Sequence, residues 1–270
     1  MILALKLTLT PAVMIGATLA GRRWGGAVSG WLIGLPLTSG PLVLVLALEH
    51  GRQFASRTAL GSLSGAIAEA AFCVGYALAP RMPLVAASLG FAAAAAAVHA
   101  LPLVALVAAV PIVLMLALRV LPPFPARSET SVRHPRWDLP ARALVATGAV
   151  ILLAAAATTI GARLTGLLAV YPLYSAVLAA FARRLEGRAA AVGLLRGLLV
   201  GLFSFAAFYS VLAFSLPRIG TGGAFAGAIA AALIVQAASL LRILRRPESR
   251  SERDLLPATP ASPSPAGPRR

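Results

Sequence analysis

One carboxylate and two proline-broken stretches are the residues of this chain best placed to do chemistry. Glu69 lies in the run Thr58 to Ala79, among almost wholly apolar neighbours. At 1.5 Å per residue it sits about 16 Å into a helix, near the middle of a bilayer. An ionised carboxylate there costs at least about 2.5 kcal/mol, so an intramembrane acid is a candidate site by default. Cys73 and Tyr76 follow at i+4 and i+7, along the same helix face. The arrangement suits a proton carrier. Its structural counterpart is a neutral glutamate that hydrogen-bonds a neighbouring helix and serves packing alone.

The broken stretches are Gly34-Leu35-Pro36-Leu37-Thr38-Ser39-Gly40-Pro41 and Tyr171-Pro172-Leu173-Tyr174-Ser175. Proline removes a backbone donor and clashes with the preceding turn, so carbonyls four residues back lose their partners. In a membrane such groups are tolerated only where they face protein or a watery cavity. Paired interruptions at corresponding positions of two halves mark a transporter site. Glu69, Pro36, Thr38, Ser39, Pro172, Tyr174 and Ser175 are therefore the substrate-path candidates. The competing reading is an ordinary kink whose hydroxyls bond their own backbone. No Ser/His/Asp order, HExxH, Walker loop or CxxC pair accompanies them, so neither an enzyme, a cofactor nor a metal site is expected. A single cysteine, Cys73, forms no disulfide within the chain.

The two stretches correspond because the chain aligns with itself. Shifted by 136 positions, Gly30 to Ala79 meets Gly166 to Ser215 without a gap, and 16 of those 50 positions are identical. Pro36/Pro172, Ser39/Ser175, Gly51/Gly187, Arg52/Arg188, Gly61/Gly197, Gly65/Gly201 and Phe72/Phe208 are among them. A duplicated unit follows. Gly61, Gly65, Gly197 and Gly201 form matched small-x3-small faces, which let helix backbones approach one another or their repeat neighbours.

The elements that hold these residues are membrane helices. Hydrophobic residues make up 59% of 270 positions and charged residues only 12%, so most of the chain is unsuited to water. The apolar runs are continuous rather than alternating, which excludes a barrel and predicts an all-α polytopic bundle. Nine spans are expected: Ile2 to Ala20, Trp24 to Leu48, Thr58 to Ala79, Pro83 to Val98, Leu101 to Val120, Leu139 to Ile160, Leu164 to Phe181, Ala189 to Leu216 and Gly220 to Leu244. The first is expected to be kept rather than cleaved, because Arg22 and Arg23 follow it instead of preceding it. A net charge of +16 could suggest nucleic-acid binding, but the basic residues stand singly or in pairs between apolar runs, so no nucleic-acid partner is expected.

Taking the loops alternately, 19 of the 24 basic residues fall on one side and Lys6, Arg52, Arg57, Arg163 and Arg218 on the other. This places the N-terminus outside and the C-terminus in the cytoplasm. Helices one to four then match six to nine around an unpaired fifth, and the odd spacing inverts the second copy. The expected organisation is a first repeat over 1–100, a linker span over 101–121, a cytoplasmic loop over 122–138, a second repeat over 139–246 and a disordered tail over 247–270. Trp24, Trp31 and Trp137 read as interfacial anchors, and Arg196 as a residue snorkelling to the cytoplasmic surface.

With Gly166 to Ser175, Glu186-Gly187-Arg188 and Arg196-Gly197, each half resembles the small four-helix bacterial inner-membrane proteins of the GlpM type. That resemblance implies an integral protein of the bacterial inner membrane and carries over no catalytic residue. The inverted halves are also loosely similar to drug/metabolite transporters. Two functions are expected on these grounds: a secondary carrier or exporter of a small solute, or a non-transporting scaffold or accessory subunit of envelope or polysaccharide assembly. The expected partners are the lipid bilayer, a small solute and a second copy of the chain.

Overall fold

The computed structural model of the chain describes residues 2–37, 39–123, 135–157 and 171–244. Thr38, residues 124–134 of the loop, the start of the seventh span and the tail 247–270 lie outside the described residues. Ten helices and no strand occur among the described residues: α1 (Ile2–Trp24), α2 (Gly26–Ile33), α3 (Ser39–Glu49), α4 (Arg52–Leu78), α5 (Pro83–Val98), α6 (Leu103–Val120), α7 (Asp138–Ala157), α8 (Leu173–Leu185), α9 (Arg188–Ile219) and α10 (Thr221–Leu244). By length and composition α4, α6, α9 and the stretch Thr221–Ser239 of α10 can cross a membrane, while α3 and α5 are shorter apolar helices. Val104, Leu152 and Ile234 point outward at 70% exposure or more, as lipid-facing side chains do.

Long alanine- and leucine-rich runs need a firm stop if the chain is to reverse, and glycine supplies it. Gly25, Gly51, Gly187 and Gly220 hold φ of 96°, 86°, 94° and 83°, each at the junction of two helices. Side chains rarely adopt that conformation, so glycine lets one helix end and the next begin almost at once. Two of the four, Gly51 and Gly187, are repeat equivalents.

Helix α4 and helix α9 form the central pair, with Leu63, Phe72 and Tyr76 of the first and Leu195, Leu198, Leu202 and Tyr209 of the second almost fully buried. They run in opposite directions. Ser56, near the start of α4, donates to the Ala213 carbonyl near the end of α9, and Arg188, which begins α9, donates to the Ala77 carbonyl at the end of α4 (2.8 and 2.7 Å). Helices α1 and α7 also pack side by side, and Arg22 at the end of one meets Asp138 at the start of the other. Arg22, Arg183, Arg188 and Arg196 thus mark one end of the bundle, called here the arginine end. Helix α5 lies on α4 and α10 on α9.

Several boundaries differ from expectation. Helix α1 runs through Arg22 and Arg23 to Trp24, and α4 begins six residues before Thr58, because helices extend beyond the apolar core into polar surroundings. Two breaks fall where expected: the stretch Trp24 to Leu48 is two helices parted at residues 34–37, around Pro36, and Pro83 to Val120 is parted at 99–102. Trp31 is not an interfacial anchor: it is 9% exposed, and its indole N–H donates to Ser239 of α10 at 2.9 Å. Trp24 and Trp137, both 53% exposed, fit that role.

Of the four packing glycines, Gly197 and Gly201 face α2 rather than α4. A Cβ added at Gly197 would collide with the Ala27 carbonyl, and one at Gly30 with the Leu194 carbonyl, so these backbones are in direct contact. No atom of another described helix lies within 4 Å of a Cβ built on Gly61 or Gly65.

Candidate functional site

Both proline stretches adopt the same turn. The Leu37 amide donates to the Leu35 carbonyl at 2.8 Å and Gly40 to Pro36 at 2.9 Å; 136 positions later Leu173 donates to Tyr171 at 2.8 Å and Ala176 to Pro172 at 2.9 Å. Pro172, at φ −77° and ψ 63°, is the centre of an inverse γ-turn. Lacking an N–H, Pro36 and Pro172 make no hydrogen bond back to the residues before them, and helices start just after, at Ser39 and Leu173. Ser39 and Ser175 consequently stand in the first turn of α3 and α8.

The second turn is clasped from three sides. The buried Ser175 hydroxyl donates to Oε1 of Glu69 on α4 at 2.8 Å. The Tyr174 hydroxyl bonds Thr10 of α1 at 2.8 Å, and that of Tyr171 bonds Ser88 of α5 at 2.9 Å. The Tyr171 ring meets Phe72 and Phe91 edge-on at 6.0 and 5.7 Å. Glu69 is half-buried, and among the described residues no arginine or lysine forms an ion pair with it.

Pro36 and Ser39 join a different locus. Gly40 packs on the Phe208 ring, while the Ser39 and Ser62 hydroxyls lie about the phenol of Tyr209, whose buried oxygen makes no well-aligned hydrogen bond among the described residues. By the 136-residue shift Ser39 corresponds to Ser175, Tyr209 to Cys73 and Phe205 to Glu69. Where one locus has an acid, the other has an aromatic ring, tilted by 52° against Tyr209 with centroids 4.5 Å apart. The structure therefore joins Glu69 to Ser175, whose turn also holds Pro172 and Tyr174, and places Ser39 at Tyr209 of α9.

Sequence reasoning missed an ionic cluster at the arginine end. Asp138 is fully buried, with Oδ1 bonded by Nε of the buried Arg142 at 2.7 Å and Oδ2 by Arg22 at 2.9 Å. The i,i+4 spacing of Asp138 and Arg142 was the available signal. Burial pushes the Asp138 carboxyl up, but the hydrogen bonds and charges of Arg142 and Arg22 outweigh it and hold it below the ordinary value of 3.8. The cluster's stabilisation is thus complete above that value and fades only as pH falls through the lowered one. Asp138→Asn leaves Arg142 buried without its counter-charge and is expected to cost about 3 kcal/mol, seen as a lower midpoint in thermal unfolding at neutral pH.

Arg196 does not snorkel free. It donates to the Leu118, Leu121 and Pro122 carbonyls, capping α6. No group of three or more metal-ligating side chains occurs among the described residues. No family model matches the chain, and no curated protein or solved structure matches it either.

Proposed function

We propose that the protein is a secondary carrier of a small solute, made of two inverted copies that meet at Glu69. The observation that carries this reading is the Ser175–Glu69 bond, in which the broken helix of one copy holds the lone intramembrane acid of the other. One fact supports inversion, that the repeat-equivalent helices α1/α7 and α4/α9 run in opposite directions, while the shared hydrogen bonds of the proline turns support duplication. Nine passes, an outside N-terminus and a cytoplasmic C-terminus in a bacterial inner membrane rest on the arginine-rich loops. Rocking one copy against the other would break the Ser175–Glu69 bond and offer the carboxylate to a proton or solute. The pseudo-equivalent Ser39–Tyr209 locus would bear the opposite half of the motion.

One observation favours a non-transporting scaffold of envelope or polysaccharide assembly: two clefts open at the arginine end, and neither is lined by Glu69. Reconstitution separates the readings. With protein present, a pH gradient should drive uptake of at least one member of a panel of labelled cationic, anionic and neutral small solutes. Flux equal to that of empty vesicles for all of them supports the scaffold.

A further inference from the structure

We propose that a groove between α4, α5 and α8 seats an anionic phospholipid, with its phosphate on Arg183 and Arg184 and an acyl chain along Met82, Leu84 and Val85. The open groove has a volume of about 580 Å³, and the buried Tyr76 contributes to its wall. Three observations converge on this ligand. First, the lining is apolar and open, with Met82 69% and Val85 53% exposed. A small aqueous anion has no use for such a wall, whereas a lipid chain does.

Second, one terminal nitrogen of Arg183 donates to the Pro80 carbonyl at 2.7 Å, while the other is buried and meets no acceptor among the described residues. A charged donor left so is costly, and a turn of the guanidinium toward the groove would give it a phosphate oxygen, the acceptor that its fork fits best. Third, the groove lies at the arginine end, beside Arg188 and on the same side as Arg22, Arg142 and the exposed Trp24. Basic and aromatic residues gather at headgroup level, where anionic lipids concentrate. The site stands whether or not the protein carries a solute.

The test is native mass spectrometry of the full chain in detergent, offered phosphatidylglycerol or phosphatidylcholine with identical chains. Wild type should retain phosphatidylglycerol preferentially. Arg183→Gln should lower that preference about fivefold, the effect of one interfacial basic charge. Val85→Glu, at an exposed position that leaves both arginines in place, should lower it similarly and decides the matter if Arg183→Gln fails to fold. Arg57→Gln, at the opposite end, should behave as wild type. Equal retention of the two lipids overturns the proposal, as does unchanged preference in Val85→Glu. So does inorganic phosphate raising the thermal midpoint as much as phosphatidylglycerol, which would mean a free-anion site.

Discussion

Glu69→Gln should abolish accumulation of solute against its gradient in reconstituted vesicles while leaving the protein folded. Glutamine keeps an oxygen that can accept from Ser175, so the fold should lose no more than about 1 kcal/mol. It cannot ionise, so no proton exchanges there. With one proton coupled per solute, a pH gradient of one unit can hold roughly a tenfold solute ratio, and in Glu69→Gln that ratio should fall to about one. Ser175→Ala is the informative companion. It keeps the acid and loses the bond between the copies, so the final ratio should stand while the rate of approach changes. Accumulation by Glu69→Gln equal to wild type would remove the coupling role.

Gly197→Ala should yield little folded protein. The new methyl would sit inside the Ala27 carbonyl of α2, and backbone, unlike a flexible side chain, cannot swing away. Helices α2 and α9 would have to separate along their contact, costing about 3 kcal/mol, the upper end of what over-packing usually costs. Gly30→Ala, meeting Leu194 from the other helix, should do the same. Gly227→Ala is the control: its Cβ would find only Val211 Cγ1 at 3.6 Å, an ordinary contact, and alanine favours the helix by about 1 kcal/mol. Gel filtration and the thermal midpoint in detergent read all three. Equal midpoints for Gly197→Ala and Gly227→Ala would contradict the close approach.

The all-helical fold and the break at Pro36 were legible because apolar run length and proline chemistry are local properties. So was the value of the repeat, since the two turns share hydrogen bonds 136 positions apart. Partner choice was not legible. Nothing in the spacing of Gly197 and Gly201 says that they face α2, and nothing in Pro36 and Ser39 says that they join Tyr209 rather than Glu69. The buried role of Trp31 depends on Ser239, 208 residues away. Asp138 looked like loop polarity until Arg22, from the other half, closed on it. Each miss is a contact between halves, which a one-dimensional pattern does not encode.

The proposed inversion of the two copies is what the remaining interpretation stands on, and labelling reads it directly. His50 and Glu186 are repeat equivalents, both exposed, each one residue before the glycine that caps the start of α4 or α9. In a Cys73→Ser background, His50→Cys and Glu186→Cys are treated with a membrane-impermeant maleimide in right-side-out and inside-out vesicles. Opposed copies predict that His50→Cys is labelled only from the outer face and Glu186→Cys only from the cytoplasmic face. Labelling of both from the same face would contradict the account.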